Sequence, residues 1–345
     1  MTSTFQWALI GPGAIAHVFA DAVRHLDGCR LHAVCGRDSH RAEQFAQRWS
    51  EPGEPALRVT TDPAALLADP EVDGVYIATP HGQHFDYARA ALKAGKAVLC
   101  EKSLVPTEAM ARTLVETAQA QGVFLMEAVW TRFLPVYQEI ARWLQQGRIG
   151  QLRALQSSFC FPAPYNPDSR LFSPALAGGA LLDVGVYNLN ATRFVLRHAL
   201  GEVPELRALE AHGVLAPTGV DARVSASLDF GDGLVAQFVC GIDTFAPNTL
   251  QVMGDAGAIV LPETFWQATR AQWLRPSNPA ETVDLPFKTN GFEYQIAEAM
   301  RCIRAGEIES PGMPHSETLA VLGWIDRIRD KVGARLPFDA PSEAL

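Results

Sequence analysis

Two rhythms of apolar and polar positions run along this chain. Short, almost wholly apolar runs at Trp7–Ile10, Leu31–Cys35, Gly74–Ala78, Ala97–Cys100 and Val123–Met126 predict strands buried on both faces, since a strand with one wet face would show a polar residue at every second position. Between them, Ala14–His25, His40–Trp49, His84–Ala94 and Thr107–Gln121 place apolar residues at i, i+3 and i+4, the spacing of a helix with one buried stripe. Strands alternating with helices predict a doubly wound parallel sheet joined by right-handed crossovers.

After Met126 the rhythm changes. A helical stretch at Leu134–Gln146 stops at Gly147, and period-2 segments then accumulate at Leu152–Phe161, Glu205–Leu215, Arg223–Phe230, Leu234–Cys240, Thr249–Met253 and Ala258–Leu261. Phe230-Gly-Asp-Gly-Leu234 carries a hairpin signal. One long helical stretch, Gly179–His198, interrupts the series, and helices at Phe292–Arg304 and His315–Lys331 follow it. The fold class expected is α/β: an N-terminal Rossmann domain over residues 1–126, then an α+β domain over 127–345 with a large, mainly antiparallel sheet. The last helices are expected to pack back on the first domain.

Composition narrows the function. Of 345 residues 48% are hydrophobic and 19% charged, enough to bury a sizeable core and too apolar for a disordered chain. The net charge of −9 gives no general attraction to nucleic acid or anionic lipid. No apolar run approaches a membrane span, and Met1–Gln6 lacks the basic and small-residue pattern of a secretory signal. The six cysteines are scattered with no C-x-x-C spacing, which predicts reduced thiols, no metal site and a cytoplasmic protein.

The first strand runs directly into Gly11-Pro12-Gly13-Ala14-Ile15-Ala16 and a helix. In this G-x-G-x-x-A pattern Gly11 makes the tight turn, Gly13 lets backbone approach a pyrophosphate, and the helix N-terminus offers N–H donors and a positive dipole end. The second strand ends in Cys35-Gly36-Arg37-Asp38, with Arg41 a turn later. A guanidinium there suits a 2′-phosphate and favours NADP; in the alternative reading Asp38 takes the ribose and the cofactor is NAD. Thr79-Pro80-His81-Gly82-Gln83-His84 follows the next predicted strand at the carboxyl edge where nucleotides bind, so His81 and His84 either flank the nicotinamide ribose or simply open a helix.

These segments, together with Cys100-Glu101-Lys102 and Gly178-Gly179-Ala-Leu-Leu-Asp183-Val-Gly185-Val-Tyr187, resemble the glucose–fructose oxidoreductase/inositol dehydrogenase (Gfo/Idh/MocA) family over nearly the whole chain. Met126-Glu127-Ala-Val-Trp130-Thr131-Arg132-Phe133, Ser169-Arg170-Leu171-Phe172 and Met313-Pro314-His315-Ser-Glu317-Thr318 are similar to its branch of dimeric dihydrodiol dehydrogenases and NADP-dependent D-xylose dehydrogenases.

The resemblance implies that Lys102 faces the nicotinamide, that Asp183 and Tyr187 belong to the substrate pocket, and that Tyr187 is the general acid/base with Lys102 stabilising its phenolate. The residues themselves are compatible with this. Lys102 ends a buried strand at the cofactor edge, and Asp183, Tyr187 and Asn190 form one stripe of a largely apolar helix, where a carboxylate is costly unless paired or functional. Trp130, Arg132, Phe133, Phe161 and Arg170 are further pocket candidates. The family usually carries Glu-Lys-Pro with a cis bond; Ser103 in place of the proline predicts a trans bond, because cis before a non-proline costs ~2.5–4 kcal/mol.

The expected activity is NADP-dependent hydride transfer at a secondary carbinol or hemiacetal carbon of a D-xylose-like sugar or a trans-dihydrodiol, in a homodimer formed through the C-terminal sheet. Two rivals stand beside it: a family enzyme recycling tightly bound NAD(P) internally, and a non-catalytic NAD(P) sensor. A short-chain dehydrogenase is disfavoured because no Tyr has Lys four residues later, and a zinc hydrolase because H-E-x-x-H is absent.

Overall fold

The computed structural model describes residues 4–50 and 53–339, which divide into two compact units. The first comprises described residues 4–50, 53–130 and 288–319. Its parallel sheet contains β1 (Phe5–Ile10), β2 (Cys29–Cys35), β3 (Arg58–Thr60), β4 (Gly74–Ile77), β5 (Ala97–Glu101) and β6 (Leu125–Ala128) in the order β3-β2-β1-β4-β5-β6. Every pairing is parallel. This order reverses direction between β1 and β4, the switch point at which such sheets bind nucleotides. Helices α1 (Ala14–Arg24), α2 (Ser39–Trp49), α3 (Pro63–Leu67), α4 (His81–Lys93) and α5 (Glu108–Gln121) make the connections. The expected parallel sheet is present.

Apolar residues fill the middle of this unit because β1, β4 and β5 are buried along nearly their whole length. Phe19 of α1 stacks on Tyr76 of β4 with ring centroids 3.7 Å apart, and Trp7 meets Phe19 edge-on. The helix ends follow the sequence: Asp38 and Thr107 accept main-chain N–H groups at the starts of α2 and α5, and Gly122 closes α5 in the left-handed region.

The second unit comprises described residues 131–287 and 320–339. Helix α6 (Pro135–Gln145) precedes the long strand β7 (Leu152–Cys160); a π-type turn (Leu181–Gly185) leads into α7 (Val186–Leu200). The strands β8 (Ala208–Leu215), β9 (Asp221–Asp229), β10 (Val235–Gly241), β11 (Leu250–Gly254), β12 (Ala258–Leu261), β13 (Arg270–Arg275) and β14 (Asn278–Asp284) complete a sheet ordered β14-β13-β12-β11-β7-β10-β9-β8. Only β7 and β10 pair in parallel, so the sheet is mainly antiparallel, as expected. Leu155, Ser157 and Phe159 of β7 are buried while Gln156 between them is exposed, the signature of one covered face. Helix α7 lies on the covered face, and Asn188 donates to Ser157 at 2.8 Å.

Two helices remain, α8 (Phe292–Arg304) in the first unit and α9 (His315–Val332), which begins there. Asn290, just before α8, donates to the Val18 carbonyl and the Asp21 carboxylate of α1. Among the described residues no helix is long and apolar enough to cross a membrane.

Candidate active site

In the first unit the glycine turn after β1 is shaped by close backbone approach. Gly11 has φ of +96°, and a Cβ there would lie 2.9 Å from the Ala78 carbonyl, so only glycine fits between β1 and the end of β4. Gly13 precedes α1, aligning the first helical amides of Ala14 and Ile15 with the loop. At the end of β2, Gly36 presses against Pro12, and its missing side chain leaves no carboxylate at the position where an acid would hold a ribose. The Asp38 carboxylate instead caps α2, accepting from Arg41 N at 3.1 Å. The side chains of Arg37 and Arg41 stay exposed.

The loop after β5 is gripped from three sides. His81 Nε2 lies 3.1 Å from the Lys102 carbonyl. His84 is wholly buried, with Nδ1 3.0 Å from the Ser103 carbonyl and 3.2 Å from that of Leu104, and Nε2 2.7 Å from the Thr79 carbonyl. Glu127 accepts the Leu104 N–H at 3.0 Å and the Thr318 hydroxyl at 2.8 Å. Burial pushes the His84 imidazole below its usual range, against the pull of the three carbonyls. Between the two histidines runs the Lys102–Ser103 peptide, which is cis and not trans as Ser103 suggested. The cost that disfavours cis applies to an isolated peptide bond; in the fold the carbonyls on both sides of this one are bound by buried side chains. His84 likewise sets Nδ1 against this loop and Nε2 against the Thr79 carbonyl, so both ring nitrogens face main-chain carbonyls.

Glu101, just before Lys102, accepts from Tyr76 Oη at 2.5 Å. Burial pushes its carboxyl above the usual range, opposed by that hydrogen bond and by the Lys102 charge. Thr79 brings a buried hydroxyl with no hydrogen-bond partner among the described residues. Trp130 is buried against Phe292, ring centroids 5.0 Å apart.

In the second unit Asp183 and Tyr187 lie on the stretch that opens α7. The first turn is π-type, a feature the four-residue spacing did not predict and one that recurs at functional sites. Asp183 is buried and ion-paired with Arg170 at 2.5 Å, an arginine that is itself exposed. Tyr187 is buried, and the ring beside it belongs to Phe159, 5.6 Å away. Phe159 in turn stacks flat on Trp266, centroids 3.4 Å apart and 8° between planes. The loop carrying Trp266 is anchored by Tyr137 Oη, which donates to the Phe265 carbonyl, and by Thr131, which donates to that of Trp266.

Phe161 lies one residue past the end of β7, half-buried, and does not join this aromatic group. Arg132 and Asn190 are both buried and bond each other at 3.3 Å, while Asn190 also donates to the Val186 carbonyl. They tie the turn before α6 to α7. Phe133 is half-buried nearby in sequence. Phe159 and Trp266 escaped the sequence reading; the parity of β7, shared with the buried Leu155 and Ser157, was the available signal for the first, and none was available for the second.

Residues 5–129 match the model of an oxidoreductase family with an NAD-binding Rossmann fold, and residues 137–260 match the GFO/IDH/MocA C-terminal domain. The chain belongs to the GFO/IDH/MocA family. It is 33% identical over 335 residues to a trans-1,2-dihydrobenzene-1,2-diol dehydrogenase of Danio rerio, covering 95% of this chain and 97% of that one. The Homo sapiens protein of the same name is 32% identical over 341 residues, covering 97% and 98%. Among solved structures, a 3-ketoreductase from Actinomadura kijaniata in complex with NADP and TDP-benzene superposes with a TM-score of 0.83 at 25% identity, covering 96% of this chain and 98% of that one. An aldose–aldose oxidoreductase from Caulobacter crescentus shares the fold, with a TM-score of 0.83 at 24% identity and the same coverage.

This GFO/IDH/MocA protein is therefore an NAD(P)-dependent dehydrogenase or reductase with a dinucleotide-binding Rossmann domain. Its residues fit that cofactor: a glycine cradle that a Cβ would fill, helical amides facing the turn, and the unpartnered Thr79 hydroxyl at the switch-point edge.

Proposed function

We propose that the protein is an NADP-dependent oxidoreductase that interconverts a secondary carbinol or hemiacetal with its carbonyl, on a trans-dihydrodiol or a D-xylose-like sugar. The observation that carries this reading is the buried stretch opening α7, where Asp183, paired with Arg170, lies four residues before Tyr187, whose ring neighbours the Phe159–Trp266 stack, an aromatic surface suited to a flat ring or to the apolar face of a pyranose. The dinucleotide, when bound, supplies the hydride acceptor or donor. Gly11, Pro12, Gly13, Ala14, Ile15, Thr79, Pro80, Glu101 and Lys102 form the cradle for it.

The proton is the protein's responsibility. Oxidation of a carbinol releases the hydroxyl proton, which Tyr187 Oη accepts as general base; in reduction the same oxygen returns it. Lys102 contributes a positive charge that favours an ionised oxygen, and Asp183 accepts a substrate hydroxyl while Arg170 holds its carboxylate in place.

The preference for NADP rests on Arg37 and Arg41 at an edge where Gly36 offers no acid and Asp38 is engaged as a helix cap. Five of the six unpaired cysteine thiols are buried, which favours a cytoplasmic setting. Half-exposed Val235, Val239 and Val260 on the sheet face away from α7 favour a homodimer through that face; a light-scattering mass of one chain would contradict it. A panel of aldopyranoses and trans-dihydrodiols, assayed with NADP and NAD separately, tests the whole reading. Turnover of a diol or sugar with NADP supports it. Equal use of both cofactors defeats the assignment of Arg37, and no turnover of either substrate class defeats the assignment of substrate.

A further inference from the structure

The turn that carries Asp183 starts with an unsolved problem. Helix-opening amides have no acceptor within their own helix, and Gly179–Ala180 supplies no side chain to cap them. The acceptor comes from elsewhere in the second unit. Asp221, first residue of β9, places its carboxylate 2.6 Å from Leu181 N, and the Ala180 N–H is directed at the same group. Asp221 is 2% exposed. A Cβ on Gly179, whose φ is +120°, would lie 2.3 Å from Asp221 Oδ1, and one on Gly178 would lie 2.6 Å from the Leu171 carbonyl. The paired glycines thus let a strand carboxylate seat directly on the helix entrance while the Arg170 loop closes over the other side.

Burial pushes the Asp221 carboxyl up to about 7, against the amide bonds and the charge of Arg329. Arg329 of α9 is itself buried and paired with Asp326 and Asp339, at 2.8 and 2.7 Å, so it does not form an ion pair with Asp221. A buried acid tolerated at this cost, with the amides of one helix start as its partners, has a task there rather than a charge to hide.

We infer that Asp221 is a positioning residue for the reaction: by capping the π-type turn from β9, it sets the direction in which Asp183 leaves that turn and Tyr187 leaves the start of α7. The inference rests on the proposed roles of those two residues. Asp221 touches neither of them, and a displacement of about 1 Å in their placement is enough to cost on the order of 10²-fold in rate.

The test is steady-state kinetics of full-length Asp221→Asn and Asp221→Ala on the substrate that the panel identifies, with NADPH dissociation constants and thermal melts alongside, and Tyr187→Phe measured in parallel. Asparagine keeps the shape but turns an N–H donor toward one of the helix amides. The expected result is a fall in kcat of about 10-fold or more for Asn and a larger one for Ala, with NADPH affinity unchanged. A folded Asn variant with kcat within about two-fold of wild type overturns the inference, as does a change confined to KM or to Tm. Should the Ala variant fail to fold, the Asn variant decides. If Tyr187→Phe turns over normally, the reading of the helix itself is wrong; if Tyr187→Phe is inactive while Asp221→Asn is unaffected, only the inference about Asp221 fails.

Discussion

Lys102 and Tyr187 are held in opposite ways. The lysine sits in an irregular loop whose main chain makes its bonds to side chains: His81 and His84 of α4 and Glu127 of β6 grip the peptide units of residues 102–104. The tyrosine sits in a helix whose main chain satisfies itself beyond the first turn, so one carboxylate, Asp221, is enough at its entrance. A loop can present its backbone in geometries a helix forbids, but every such geometry needs a buried partner. A helix needs few partners, and its reactive side chains are fixed by what packs around them.

The sharpest test of this contrast is at Tyr187 itself. Tyr187→Phe keeps the ring against Phe159 and removes only the hydroxyl, so kcat should fall by roughly 10²–10⁴-fold while NADPH binding persists. Glu127→Ala attacks the other side. It leaves Leu104 N and the Thr318 hydroxyl unpaired, each worth about 1–3 kcal/mol when buried, and a thermal melt should show the loss. A variant with an unchanged Tm would mean that the loop does not depend on its braces.

The extent to which the sequence foretold these arrangements follows the same division. Continuous apolar runs made β1, β4 and β5 legible, and the 3.6-residue period gave the helices beside them. The edge strand β14 and its neighbour β13 were missed because their residues are largely exposed or half-buried and Pro279 lies within β14; only a neighbouring strand makes such a segment a strand. The short β3 and α3 escaped for lack of length. At the site, Asp183, Tyr187 and Lys102 stood out as residue types in a pattern. His84 was legible as important but not as a brace, since its role depends on carbonyls about 20 residues away. The link between Asp221 and Leu181 spans 40 residues and leaves no local signal.

Smaller effects refine the comparison. Arg37→Ala removes an exposed cation from the end of β2 and should raise the KM for NADPH about 10-fold, leaving that for NADH nearly unchanged. Trp266→Ala removes one face of the Phe159 stack, a contact worth ~0.5–1.5 kcal/mol, and should lower kcat/KM for an aromatic-like diol by roughly 3–10-fold, more than for a sugar. A further effect concerns pH. Because the Asp221 carboxyl is raised to about 7 in the folded protein, its contribution to stability is full below the usual carboxylate range and is lost as pH rises through 7. Asp221→Asn lacks that loss, so the Tm deficit of the variant relative to wild type should narrow from about pH 5 to pH 8. A constant deficit would mean that Asp221 does not titrate in this window.

Phe265 and Trp266 occupy a short connection between β12 and β13. The first ring is fully buried, and both carbonyls are tied down by hydroxyls. The second ring is half-buried against Phe159. Anchorage and contact therefore belong to adjacent but separate residues. Position 266 can be exchanged while 265 keeps the chain trace in place, so the ring that lies against Phe159 can change by single-codon steps without first having to rebuild the sheet.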